Sequence, residues 1–436
     1  MKATNQKVKL RPSLLKKNHR DASGFKKIII ADLGIWQGHR PNYSKTIIRL
    51  FSQANKKIFI ISSNPKAIEN FITEENILGA TVLKVEFNLI EKVIFKFFLI
   101  LENFFNFFNL GTWFKPASIL QLLQVKFLQR KNNLQDIPVF LPAVIDFMAV
   151  IPMFIRPFLF PKKWSGIYVT PWYNTDTIYS KSEKIKRAYG DRSMTLSSCQ
   201  GIFVIHSDYT RYYRRLLGKN HFFAIPEPIS LEVNRNYPLA SEIKKRAGNK
   251  FIITLLGGIG KKRNLLLLLD AIKLVKNKNW FLVIIGKLQE SDFSQSELHL
   301  INSFFKKYNA QCFIKLDGYI TVEQDFNAII NATDLMYLHY HNHPFSSNQL
   351  LKAIALRKPT IVNQGGIVEA IIKEANWSSI VPYSSEAVAM NIEKLQNQFS
   401  IDEDAYTKFM QALDFKNLRT TILNQLEISN LPESGN

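Results

Sequence analysis

The sequence predicts an α/β fold of two Rossmann-like, doubly wound units that face each other across a cleft. Three observations lead there. Short unalternating runs rich in Ile, Val and Phe, each bounded by turn residues, have the pattern of strands buried on both faces of a parallel sheet. Segments of helical period separate most of these runs, which is the βαβα order of an α/β domain. The pattern then breaks at one polar, turn-rich stretch and starts again. A chain of 436 residues accommodates two such units at roughly 100–200 residues each.

In chain order, residues 1–25 read as a basic, disordered arm without the apolar centre of a secretory signal. The first unit, 26–230, has strands in "KKIIIA", "KKIFIIS", "ATVLKVEF", "SGIYVTP", "QGIFVIH" and "HFFAIPE". Two apolar stretches fall between them. "IEKVIFKFFLILENFFNFFNL" is helical in period, with Ile90, Ile94, Phe97, Phe98, Leu101, Phe104, Phe105 and Phe108 on one face. "VFLPAVIDFMAVIPMFIRPFLFP" is too interrupted by Asp146, Arg156 and prolines to supply the ~18 clean apolar residues of a membrane span. Residues 231–249 read as the linker. The second unit, 250–400, has strands in "FIITLLG", "WFLVIIG", "QCFIKLDG", "DLMYLHY", "PTIVN" and "SSIVP". Residues 401–436 read as a helix that returns to the first unit, followed by a tail.

Lys and Arg number 57 against 35 Asp and Glu, a net charge of +22. That excess favours a polyanionic partner, and with the Phe-rich helix it points to an anionic membrane surface. No helix-turn-helix, RRM or zinc-finger motif accompanies it, so nucleic acid is not expected. Cys199 and Cys312 form no CxxC and no disulfide framework, which suits a reducing compartment. His341 and His343 stand two apart in a loop without carboxylates, so no metal site is expected.

Three loops have the composition of ligand sites. In "LLGGIGKKRNLLLLLDAI" a strand ends in Gly257, Gly258 and Gly260, followed by Lys262 and Arg263 at a helix start. Glycines admit an anion close to the backbone, and cations and free helix N–H groups hold it. In "HPFSSNQLLKAIAL" Ser346 or Ser347 can cap a helix whose first turn includes Asn348. In the first unit, Gly38, His39 and Arg40 follow the first strand, which places His39 at the cleft.

At these segments the chain resembles the GT-B glycosyltransferases, specifically the glycosyl transferases group 1 family. "LLGGIGKKRNLLLLLDAI", "NATDLMYLHY" and "LLKAIALRKPTIVNQGGIVEAI" carry the likeness in the second unit; "GHRPNYSKTIIRLFSQANKKIFIIS" and "VIHSDYTRYYRRLLGKNHFFAIPEPIS" carry it in the first. The resemblance implies transfer of a sugar from a nucleoside-diphosphate donor, bound by the second unit, to a glycan or lipid-linked acceptor bound by the first. It implies no metal and no cofactor beyond the donor. His39 becomes the candidate catalytic residue, with Gly38 and Arg40 on the acceptor side. Arg263 takes the lysine place of the family's diphosphate-binding pair, and the arginine place falls on Gly258, leaving Lys261 or Lys262 to replace it. The resemblance also implies a cytoplasmic enzyme, peripheral at the inner membrane face.

The chain departs from the family at two glutamates, which fall on Pro344 and Lys352. A lysine only donates hydrogen bonds, so it cannot accept from ribose hydroxyls. Ser346, Ser347 and the helix N-terminus are the expected substitute cradle for the diphosphate, and Lys352→Glu is expected to restore the ribose acceptor. A non-catalytic nucleotide-sugar or glycan-binding protein is the alternative reading.

Overall fold

The computed structural model describes residues 26–34, 40–84, 93, 96–97, 100, 116–147, 153–169, 188–341 and 346–429. The basic arm, Gly38, His39, Pro344, His343, most of the Phe-rich helix and the tail after 429 lie outside the described residues. Arg40 opens a helix, but its side chain also lies outside them.

Two parallel sheets carry the fold. The first contains β1 (Lys27–Asp32), β2 (Lys57–Ser62), β3 (Ala80–Val82), β4 (Val139–Leu141), β5 (Trp164–Tyr168), β6 (Cys199–Val204) and β7 (Phe222–Ala224) in the order 3-2-1-4-5-6-7. The second contains β8 (Phe251–Leu256), β9 (Trp280–Ile285), β10 (Cys312–Lys315), β11 (Leu335–Leu338), β12 (Thr360–Asn363) and β13 (Ser379–Val381) in the order 10-9-8-11-12-13. Every described pairing is parallel. The strands are buried almost throughout, as β-branched runs covered on both faces must be. This is α/β architecture in two Rossmann-like units.

The strand order reverses between β1 and β4 in the first sheet and between β8 and β11 in the second. Ligands of such sheets sit beyond the carboxyl ends of the strands at this switch point. The segments that follow β1, β8 and β11 in sequence each contain candidate site residues.

Three elements differ from the sequence expectation. β4 was not expected; it lies inside the apolar stretch that begins at Val139, where the prolines mask a three-residue strand. The described residues of "ATVLKVEF" form only the three-residue β3, and its last three residues lie outside the described ones. The stretch 231–249 is not a plain linker, because Pro238–Ala247 is a helix with proline in its first turn and Lys244, Lys245 and Arg246 in its last. The residues before that helix are fastened to the second unit. Asn327 Nδ2 donates to the carbonyls of Ser230 (2.9 Å) and Glu232 (2.8 Å), and Asn234 Nδ2 donates to Asp325 (2.7 Å).

The end of the chain crosses back. Helix Glu403–Ala412 packs on the second unit, where Tyr406 donates to Ala355 O at 3.0 Å and Arg357 pairs with Glu403. Helix Phe415–Ser429 then buries Leu418, Ile422 and Leu426 in the core of the first unit.

Candidate active site

The glycine turn after β8 is formed by close packing. Gly286, at the end of β9, has φ +150°, and a Cβ there would lie 1.7 Å from Gly257 O. Only glycine lets the two strand ends approach so closely. The β9 loop then folds over the turn. A Cβ on Gly260 would meet Gln289 Oε1 and Asp292 Oδ2, both at 2.4 Å. Acceptor oxygens of the protein therefore fill the space on the Cβ side of Gly260. Gly258 faces the Tyr319 hydroxyl, and Gly257 faces Arg263 and Gln349.

Arg263 is the centre of the site. Its Nη1 donates to Tyr340 Oη at 2.8 Å and to Gln349 Oε1 at 3.2 Å. Its guanidinium lies 4.8 Å from the Tyr340 ring centroid. No carboxylate pairs with it among the described residues, and its buried Nε–H has no acceptor. Lys261 is diverted to an exposed pair with Glu297 at 3.1 Å. Lys262 is exposed, and its carbonyl accepts from His341 N at 2.8 Å. Arg263 is thus the cation that the turn presents from a half-buried position.

Two helix N-termini converge here. Helix Leu265–Leu274 starts after Asn264, which is held in the left-handed region at φ +49°. Asn264 Nδ2 lies 3.0 Å from His339 Nδ1, while His339 Nε2 faces Val381 O at 3.1 Å. Burial lowers the His339 pKa, so the ring is a neutral bridge that fixes the loop. Helix Asn348–Ala355 is capped by Ser347, whose hydroxyl accepts from Leu350 N and lies 2.7 Å from Tyr340 Oη. Ser347 is therefore occupied by the cap and by the tyrosine that carries Arg263.

Ser346 points elsewhere. It donates at 2.5 Å to Oε2 of Glu227, a carboxylate only 6% exposed in the segment after β7. Tyr43, on the helix Arg40–Gln53, donates to the other oxygen at 3.1 Å. Asn348 also bonds to this carboxylate, and its Nδ2 donates to Pro228 O at 3.4 Å. A second carboxylate, Glu323, accepts from Asn42 of the same first-unit helix and from Lys352. Lys352 is 1% exposed. Asn42 and Tyr43 thus tie the helix Arg40–Gln53 to two carboxylates beside the second-unit site. Sequence reasoning missed Glu227, Glu323, Tyr340 and Gln349. Only Glu227 gave a signal, as an acid inside the apolar "AIPEPIS".

Burial raises the Glu227 pKa above the ordinary carboxylate value, against the lowering effect of Ser346, Tyr43, Asn348 and Lys352. The folded state then binds this proton more tightly than the unfolded chain. The stability that Glu227 contributes is accordingly present at low pH and falls as pH rises from the ordinary value through the raised one. Both strong donors are hydroxyls, which can also accept, so glutamine fits the place. Glu227→Gln is expected to be at least as stable as the parent at neutral pH, with the advantage vanishing on acidification. Urea titrations at several pH values check this, and a parallel pH dependence in both proteins would rule it out.

The architecture defines a class: two Rossmann-like units with parallel sheets in these strand orders are the GT-B fold. Solved structures agree. The Anabaena protein Alr3699/HepE, crystallised with UDP, superposes with a TM-score of 0.60 at 12% identity, over 93% of this chain and 100% of that one. S. aureus TarM, crystallised as a mutant with UDP, Fondaparinux and α-GlcNAc-glycerol, gives 0.58 at 10% identity over 92% and 100%. WaaG, a glycosyltransferase of lipopolysaccharide biosynthesis, gives 0.58 at 9% identity over 93% and 100%. No curated protein matches the sequence. Residues 238–407 match the family model "Glycosyl transferases group 1".

Proposed function

We propose that the protein transfers a sugar from a nucleoside-diphosphate donor to a glycan or lipid-linked acceptor at the cytoplasmic face of a membrane. The observation that carries the reading is Arg263: a half-buried guanidinium with an unused N–H, no carboxylate partner among the described residues, and two helix N-termini beside it. A diphosphate supplies the missing charge and acceptors. As the sugar–phosphate bond breaks, negative charge develops on the leaving diphosphate, and Arg263 and the helix dipoles stabilise it without a metal. His39, which stands between β1 and the helix Arg40–Gln53 in sequence, is the candidate catalytic residue. The family match over 238–407 supports this reading.

A binding protein that does not transfer is the second reading, favoured by Lys352 at a family glutamate position and by the engagement of Glu227 and Glu323 with the protein itself. A thermal-shift screen of UDP-, GDP-, ADP- and CMP-sugars tests the proposal. One nucleotide class is expected to raise the melting temperature, because a ligand that binds only the folded state stabilises it. The free nucleoside diphosphate should then accumulate on incubation. Binding without release selects the second reading, and no shift with any donor rejects sugar-donor binding in both.

A further inference from the structure

One surface of the first unit is apolar and basic together, and nothing in the proposed reaction uses it. Helix Pro116–Lys131 turns Leu123 and Phe127, four residues apart, outward. Beside it, the chain from Met153 to Phe158 exposes Met153, Phe154 at 75% and Phe158 at 74%. The two segments are joined where the Lys126 ammonium donates to Phe158 O. Phenylalanine gains more than most residues from burial, so a pair of rings this exposed on one short segment calls for an occupant.

The charge around the rings selects that occupant. Lys126 lies within electrostatic reach of Arg130 and Lys162, and burial together with these two cations lowers its pKa. Lys131 and Lys163 are exposed next to them in sequence. Asp136 forms an exposed pair with Lys162 at 3.0 Å. An accumulation of cations beside exposed rings attracts anions. Val93, Phe97 and Ile100 add a second exposed apolar face of helical spacing in the same unit. With a chain-wide charge of +22, the complement is a bilayer whose headgroups are anionic and whose interior takes aromatic rings.

We infer that Leu123, Phe127, Phe154 and Phe158, with Lys126, Arg130 and Lys162 around them, form the surface by which the first unit docks on an anionic membrane. This deepens the proposed function and rests on its reading of a membrane-borne acceptor. Docking through the first unit would bring that unit, which carries the acceptor loop after β1, to the lipid and leave the nucleotide loops of the second unit open to solvent-borne donor.

Vesicle flotation at low salt, with phosphatidylcholine vesicles containing or lacking phosphatidylglycerol, tests the inference. The parent is expected to float with the anionic vesicles only. The double variant Phe154→Ser/Phe158→Ser should lose at least tenfold in partitioning, and Arg130→Glu/Lys162→Glu should lose both binding and its salt dependence. Met390→Ser, an exposed apolar site on the second unit, should bind like the parent. Parent-like flotation of the serine variant overturns the inference, as does absence of binding by the parent. So does sedimentation showing a parent dimer that the serine variant dissolves, since the occupant is then a second copy. The donor thermal shift, measured on the same proteins, separates the two readings. A shift that persists while flotation fails leaves sugar-donor binding standing, and a parent without a shift fails that reading whatever the vesicles show.

Discussion

Arg263→Ala is expected to weaken binding of the nucleoside diphosphate by about 1.5–3 kcal/mol, the range for hydrogen bonds to a charged group. That corresponds to roughly tenfold to 150-fold in affinity. The loss is this large because Lys261 is tied to Glu297 and Lys262 is exposed, so neither stands ready at the same place. Arg263→Lys should recover only part of it. A lysine keeps the charge but not the planar fork that now spans Tyr340 and Gln349. Calorimetry with the diphosphate and with the free nucleoside checks the assignment, and only the diphosphate should respond. An unchanged affinity in a folded Arg263→Ala protein would remove this residue from the site.

Lys352→Glu is expected to cripple folding. The sequence alone suggested the opposite, a regained ribose acceptor, because it shows Lys352 only as a departure from a family pattern. In the structure the ammonium is buried on Glu323, over the Phe326 ring at 5.2 Å and within electrostatic reach of Glu227. Reversing its charge leaves three carboxylates together. Breaking one buried ion pair costs about 3–5 kcal/mol, and the added repulsion raises that further. Lys352→Met keeps the stem's volume and adds no third carboxylate beside Glu323 and Glu227, so it should cost less. Urea midpoints rank the three proteins. If Lys352→Glu matches the parent, the pair contributes nothing to stability and the expectation fails.

These two residues show where the sequence is informative and where it is not. The α/β class and the β8 turn were legible because they depend on local signals: buried β-branched runs, glycines at strand ends, and cations before a helix. β4 was not, because three residues inside an apolar, proline-broken stretch have no period of their own. The helix Pro238–Ala247 was signalled by its proline and its terminal cations but hidden by its polarity. The site's carboxylates were the least legible part. Glu227 meets Tyr43 across 184 positions and Ser346 across 119, so only the folded chain defines their roles. The neighbours of Gly260 were illegible for the same reason, since they come from the β9 loop.

The returning helix Phe415–Ser429 has a consequence for how the molecule moves. Two bodies joined by one covalent strand can swivel about it freely; joined by two, they retain mainly rotation about the line through both joints. Here one joint lies near Ile229, and the other at the corner between Ala412 and Phe415. The second is anchored on the first unit by Arg419, donating to Gln53 O at 2.9 Å, and by the pair Lys56–Glu427 at 3.3 Å. Opening and closing should therefore resemble a door on a pair of hinges, with one soft direction. Deleting the final helix would turn that door into a pendulum and uncover Ile422's socket in the first unit's core.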